Sequence, residues 1–171
     1  MKMEPEQIEA LFTRADGQFL FARWGRPIAP VVFGVQEETL EVVKGALELV
    51  PDLRPLVTKL VAAEANQYRF FRFDETGAIK ACFVFLRMDE HLSAVPAQTL
   101  ALSQIVQSYL LWSDTAFRDA SPLAVSGDTT ILRPDIAGLI RAAYDPVLPS
   151  AAQDTSHALR LYARMQKGGV Q

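Results

Sequence analysis

Five arginines stand in or beside two stretches of alternating, aromatic-rich sequence: Arg23 and Arg26 at the first, and Arg69, Arg72 and Arg87 along the second. A guanidinium carries a planar fork of N–H donors that fits a carboxylate or phosphate bidentately. Hairpins lying side by side would gather some of these side chains at one end of a sheet, as an anion site. Trp24, within Arg23-Trp24-Gly25-Arg26-Pro27, would add a stacking face with cation–π support. The ligand-binding set expected on this reasoning is Arg23, Trp24, Arg26, Arg72 and Arg87. The plainer account, which carries more weight, is that strand ends reach solvent, arginine stems cover apolar edges with their heads in water, and a tryptophan packs in the core or at an edge. Strand order decides between the two, and sequence does not give it.

Asp89-Glu90-His91 follows the second stretch. Neighbouring carboxylates raise the pKa of an imidazole, so His91 is the one candidate for proton transfer. Three consecutive side chains cannot all face one point, and acids at the positive end of a helix are the simpler reading. His157 is the other of only two histidines, which argues against a multi-histidine metal site. Cys82 lies between Ala81 and Phe83, where a thiol behaves as a small apolar group with a raised pKa rather than as a nucleophile. Ser126-Gly127-Asp128-Thr129-Thr130 is rich in hydroxyls and amides that would cradle an anion at a helix start, but it lacks the lysine and glycine spacing of a phosphate loop. None of the common motifs for nucleotide, zinc or calcium binding or for serine hydrolysis occurs. No metal and no cofactor is expected, and whether the chain is an enzyme stays open, because a site built from scattered residues leaves no motif.

These residues must be positioned by ordinary elements. Ile8, Leu11, Phe12 and Ala15 recur at helical spacing behind Pro5, predicting a helix to Ala15, with Asp16-Gly17 as its stop. Phe19–Trp24 and Val31–Val35 read as strands of a loose hairpin. Amphipathic patterns at 36–50 and from Pro55 to Asn66 predict two helices. Tyr68–Phe73 and Ile79–Arg87 flank Asp74-Glu75-Thr76-Gly77, a second and better-defined hairpin. The uncharged stretch Ala97–Phe117 predicts a broad apolar helix, and 119–130 reads as the longest loop. Two helices close the chain, one from Pro134 and one following Ser150, whose spacing to Gln153 suits a capping box. Phe19-x-Phe21-x-Arg23-Trp24 and Tyr68-x-Phe70-x-Arg72-Phe73 share one order, which raises the alternative of a ββα repeat against chance likeness.

The expected architecture is therefore a single α+β domain spanning residues 1–171: an antiparallel sheet of about four strands from two hairpins, packed with five or six helices. A chain of 171 residues buries a core without staples. A net charge of −3 with scattered basic residues argues against nucleic acid. Pro96, Gln98, Thr99, Ser103, Gln104, Gln107 and Ser108, all between His91 and Asp114, argue against a membrane span. The acids near the start and the single cysteine fit the cytoplasm. With half of all residues hydrophobic, the favoured function is a non-catalytic binding or assembly domain acting through an apolar helical surface, in a homo-oligomer or with a protein partner. The alternative is a small enzyme or sensor for an anionic metabolite, built on the arginines and His91.

Overall fold

A computed structural model describes residues 3–29 and 62–168; Val31–Val35 and most of the two helices expected between 36 and 65 lie outside them. The chain is mixed α+β. In order, its elements are α1 (Pro5–Phe12), β1 (Phe21–Ala22), β2 (Gln67–Phe73), β3 (Ile79–Leu86), α2 (Glu90–Ser93), α3 (Ala97–Tyr109), β4 (Leu123–Ser126), β5 (Thr129–Leu132), α4 (Pro134–Ala143), β6 (Ala151–Ala152) and α5 (Ser156–Gly168). The strands pair antiparallel and two by two: β1 with β6, β2 with β3, β4 with β5. The expected four-stranded sheet and ββα repeat are therefore not what the described strands display. The two aromatic segments do meet, through a parallel bridge between Trp24 and Ile79. There Ile79 N–H donates to Arg23 O at 2.9 Å, and Gly25 N–H to Ile79 O at 3.3 Å.

The expected hairpin at 68–87 is present, and its turn explains itself. Asp74 Oδ1 accepts from Thr76 N (2.9 Å), Thr76 Oγ1 (2.7 Å) and Ala78 N (3.1 Å), while Gly77 takes φ +81°, open to glycine without strain. The hydroxyl of Thr76 and the two backbone amides hold the Asp74 carboxyl below the usual carboxylate range, with Arg26 assisting.

Four boundaries differ from expectation, each because backbone pairing replaces the expected helical or loop pattern. α1 ends at Phe12 rather than Ala15, since Thr13 bridges Phe19 and Arg14 N–H donates to Gln18 O at 2.9 Å. The long apolar helix ends at Tyr109 rather than Phe117. Leu110 turns extended and bridges Arg23, and Leu111 N–H donates to Ala22 O at 2.9 Å, so β1 takes the groups that would have continued the helix. Residues 119–130 are not a long loop: Leu123–Ser126 and Thr129–Leu132 form a hairpin around Gly127 (φ +60°) and Asp128. The last helix begins at Ser156, not just after Ser150, because Ala151 and Ala152 pair with Ala22 and Phe21; Asp154 Oδ1 then accepts from the Ser156 amide at 2.8 Å.

The core joins the two ends of the chain. Ile8 and Phe12 of α1, Phe21, Leu110, Leu139 of α4 and Leu161 of α5 are fully buried in one cluster. Phe12 contacts Phe21 edge-on (5.3 Å) and stacks on Trp112 (5.4 Å, 10°). Among the described residues, no helix is long and apolar enough to cross a membrane.

Candidate functional site

The strand register spreads the sequence-predicted arginines apart. Arg72 lies opposite Ala81 near the turn, whereas Arg87 N–H donates to Asn66 O beyond the other end of the hairpin. Six residues separate the two levels, about 20 Å of strand. Arg23 is committed elsewhere. Its Nη2 donates to Leu148 O (3.1 Å), its Nη1 to Trp24 O (3.3 Å), and the guanidinium sits 5.7 Å from the centre of the Tyr144 ring. Trp24 Nε1 donates to Ser108 O at 2.8 Å. Arg26 is exposed near Asp74, and Arg87 is exposed with Nη2 reaching Glu64 O at 3.4 Å. Arg23, Trp24, Arg26 and Arg72 thus lie toward the turn end, with Arg87 and His91 toward the other. His91 is exposed on α2, whose N-terminus is capped by Asp89 through Leu92 N (2.8 Å). That contact and Asn66 hold the Asp89 carboxyl below its ordinary range.

A different arginine is placed for recognition. In β2, side chains alternate across the sheet, so Arg69 shares a face with Phe71 and with their cross-strand partners Val84 and Cys82. That face looks at α3. Arg69 Nη2 donates to Gln104 Oε1 (2.6 Å) and Nη1 to Gln107 Oε1 (3.2 Å), while its Nε is buried without a partner among the described residues. Burial lowers the guanidinium's pKa, partly offset by nearby Cys82. Burial likewise pushes the Cys82 thiol up, with Ser108 and Arg69 opposing, which favours the protonated thiol there.

Arg69 opens onto a partly open cleft of roughly 920 Å³, within the size range of small-molecule sites. One wall is β2 and α3: Gln67, Arg69, Phe71, Ser103 and Gln107. The facing wall runs from Leu111 to Pro122 and adds Arg14 and Leu20. Trp112 and Phe117 meet edge-to-face at 4.9 Å in that wall. Its indole is fixed by Nε1 donating to Val106 O (3.1 Å) and by Phe12 beneath it. In formal charge the second wall is neutral, with Arg14 and Arg118 against Asp114 and Asp119, so among the described lining residues Arg69 adds the net positive charge.

Compared with known proteins, the chain matches no family model, no curated sequence and no solved structure. The site therefore rests on its own geometry. Among the described residues no group of three or more histidine, cysteine or carboxylate side chains could hold a metal ion. Sequence reasoning grouped Arg69 with the hairpin arginines but did not single it out, and it missed Gln104, Gln107, Trp112 and Arg118. Two signals were available. Arg69 is in phase with apolar Phe71, and Gln104 and Gln107 sit three apart, on one face of a helix without charges.

Proposed function

We propose that the protein is a binding domain that holds a small organic anion with an apolar, planar body in the cleft between β2, α3 and residues 111–122. One observation carries this reading: the half-buried Arg69 guanidinium is held by neutral glutamine amides, with no carboxylate paired to it among the described residues. A buried cation ordinarily takes a counter-charge, because desolvation without one is costly. Arg23 is also held by neutral oxygens, with its Nε buried and unpaired among the described residues; what sets Arg69 apart is that it opens on a cleft. There the amides orient the fork and leave the charge for an incoming anion. Phe71, Trp112 and Phe117 supply apolar surface for the remainder of such a molecule. His91 does not line this cleft, and no proton-transfer role is assigned to it.

The test compares wild type with Arg69→Met by calorimetry and thermal melting, using benzoate and phenyl phosphate against neutral benzamide. Both anions should bind and raise the melting temperature of wild type only, while the variant itself melts no lower than wild type, since it loses an unpaired buried charge. Equal stabilisation of both chains, or binding of neither anion, overturns the reading.

A second reading, assembly through the apolar surface of α3, draws on Ile105, which is 52% exposed, and on Tyr109 one turn further along the same face. It predicts concentration-dependent self-association in sedimentation that Ile105→Glu abolishes.

A further inference from the structure

We infer that the ligand's anionic group is recognised by a hydrogen-bonded chain, Gln67–Gln104–Arg69–Gln107–Ser103, whose open ends are all donors. The inference rests on the cleft reading above and deepens it. Arginine has no acceptor, so the two glutamines that meet it must turn their carbonyl oxygens inward, as Gln104 Oε1 (2.6 Å) and Gln107 Oε1 (3.2 Å) do. This fixes both amide orientations by chemistry alone. Their NH2 groups must then point outward: Gln104 Nε2 donates to Gln67 Oε1 (2.8 Å) and Gln107 Nε2 to Ser103 Oγ (3.0 Å). Each outer residue is thereby left with its donor to spare. Among the described residues nothing accepts from Gln67 Nε2 or from the Ser103 hydroxyl.

Arg69 thus polarises the whole chain. Gln67, Arg69, Ser103 and Gln107 all line the cleft, and the spare hydrogens are the Gln67 amide, the Ser103 hydroxyl and the remaining N–H groups on the Arg69 Nη atoms. Bonds aligned in one direction reinforce one another. A group that offers several acceptor oxygens and no hydrogen meets this array without conflict. A carboxylate or a phosphate monoester satisfies that condition. An amine or a primary amide brings donors against donors and leaves some of them unpaired, which is how a polar site rejects an analogue. The recognised chemistry is therefore an acceptor-only anion on an apolar body.

The test measures affinity for benzoate, phenyl phosphate, benzamide and benzylamine in wild type, Gln67→Glu, Ser103→Ala and Ser103→Thr. Gln67→Glu keeps an oxygen for Gln104 Nε2 while replacing the spare donor by a carboxylate, so both anions should lose about tenfold or more, as for a bond to a charged group. Ser103→Ala should lose about three- to tenfold, the value of one hydrogen bond, and Ser103→Thr, which keeps the hydroxyl, should recover it. Benzamide and benzylamine should bind more weakly than either anion, and the tighter anion identifies the head group. If the anions bind wild type but Gln67→Glu and Ser103→Ala bind them equally well, this inference falls and the cleft reading stands. If neither anion binds wild type, both fall.

Discussion

His157 is the one polar side chain fully buried among the described residues, 1% exposed, with neither ring nitrogen bonded and its ring 4.3 Å from that of Phe21. Burial, and secondarily Arg160, pushes its pKa down from 6.5 to about 4, so the imidazole is neutral in the folded protein. Between those two values, the unfolded chain takes up a proton that the folded chain refuses. Stability should therefore be intact above pH 6.5, fall through that window, and lose nothing further from this group below about 4, a total of up to about 3 kcal/mol. His157→Leu removes two unpaired nitrogens as well as the titration. Urea unfolding should show the variant at least as stable at pH 7, by up to about 2 kcal/mol, with its advantage widening toward pH 5. A variant weaker at pH 7 with an unchanged acid limb would reveal a partner for the imidazole. Arg69 resembles His157 in lacking full satisfaction, yet it opens on a cleft rather than on the core, and that difference makes one a matter of stability and the other of recognition.

The β2–β3 hairpin carries Arg69 to its place, and the turn at its end sets the register. Gly77 combines φ +81° with a tight approach: a Cβ there would lie 2.9 Å from that of Ala151. Gly77→Ala should cost about 2 kcal/mol or more, the sum of a left-handed penalty and a forced shift, whereas Gly17→Ala, with a similar φ of +86° but open space around it, should cost about 1 kcal/mol. Chemical denaturation of the pair separates crowding from backbone strain; equal losses would mean that β6 yields freely. This hairpin was legible because Asp74-Glu75-Thr76-Gly77 and the flanking aromatics encode it locally. The end of α3 was not, since Leu110, Leu111 and Trp112 continue a helical pattern and only the backbone of β1 stops it. β4 and β5 could have been read from Gly127-Asp128 between Leu123-Ala124-Val125 and Thr130-Ile131-Leu132, but the hydroxyl-rich composition looked like a loop. The site suffered most: which arginine meets which helix depends on strand register and on the turn at Tyr109, both tertiary.

At the scale of the molecule, three distant pieces are fastened by one phenol. Tyr144 OH donates to Tyr109 O at the end of α3 (2.6 Å) and accepts from Trp24 N (3.4 Å), and Arg23 lies over its ring. Burial pushes its pKa up to about 12, so it should remain protonated in an alkaline titration after an ordinary tyrosine has ionised. Tyr144→Phe should lower global stability by about 1 kcal/mol, the net worth of a hydrogen bond, and unfolding should stay a single cooperative transition. Loss of cooperativity would show that the clasp joins separable parts.

The pairing of Phe21 and Ala22 with Ala152 and Ala151 has a temporal consequence. On the ribosome the first aromatic side chains of the interior emerge long before the strand that closes over them has been translated, and such remote closure is slow because loop entropy must be spent first. The nascent chain therefore carries Phe12 and Phe21 without their final cover until α5 is released, the stage at which a chaperone has most to hold.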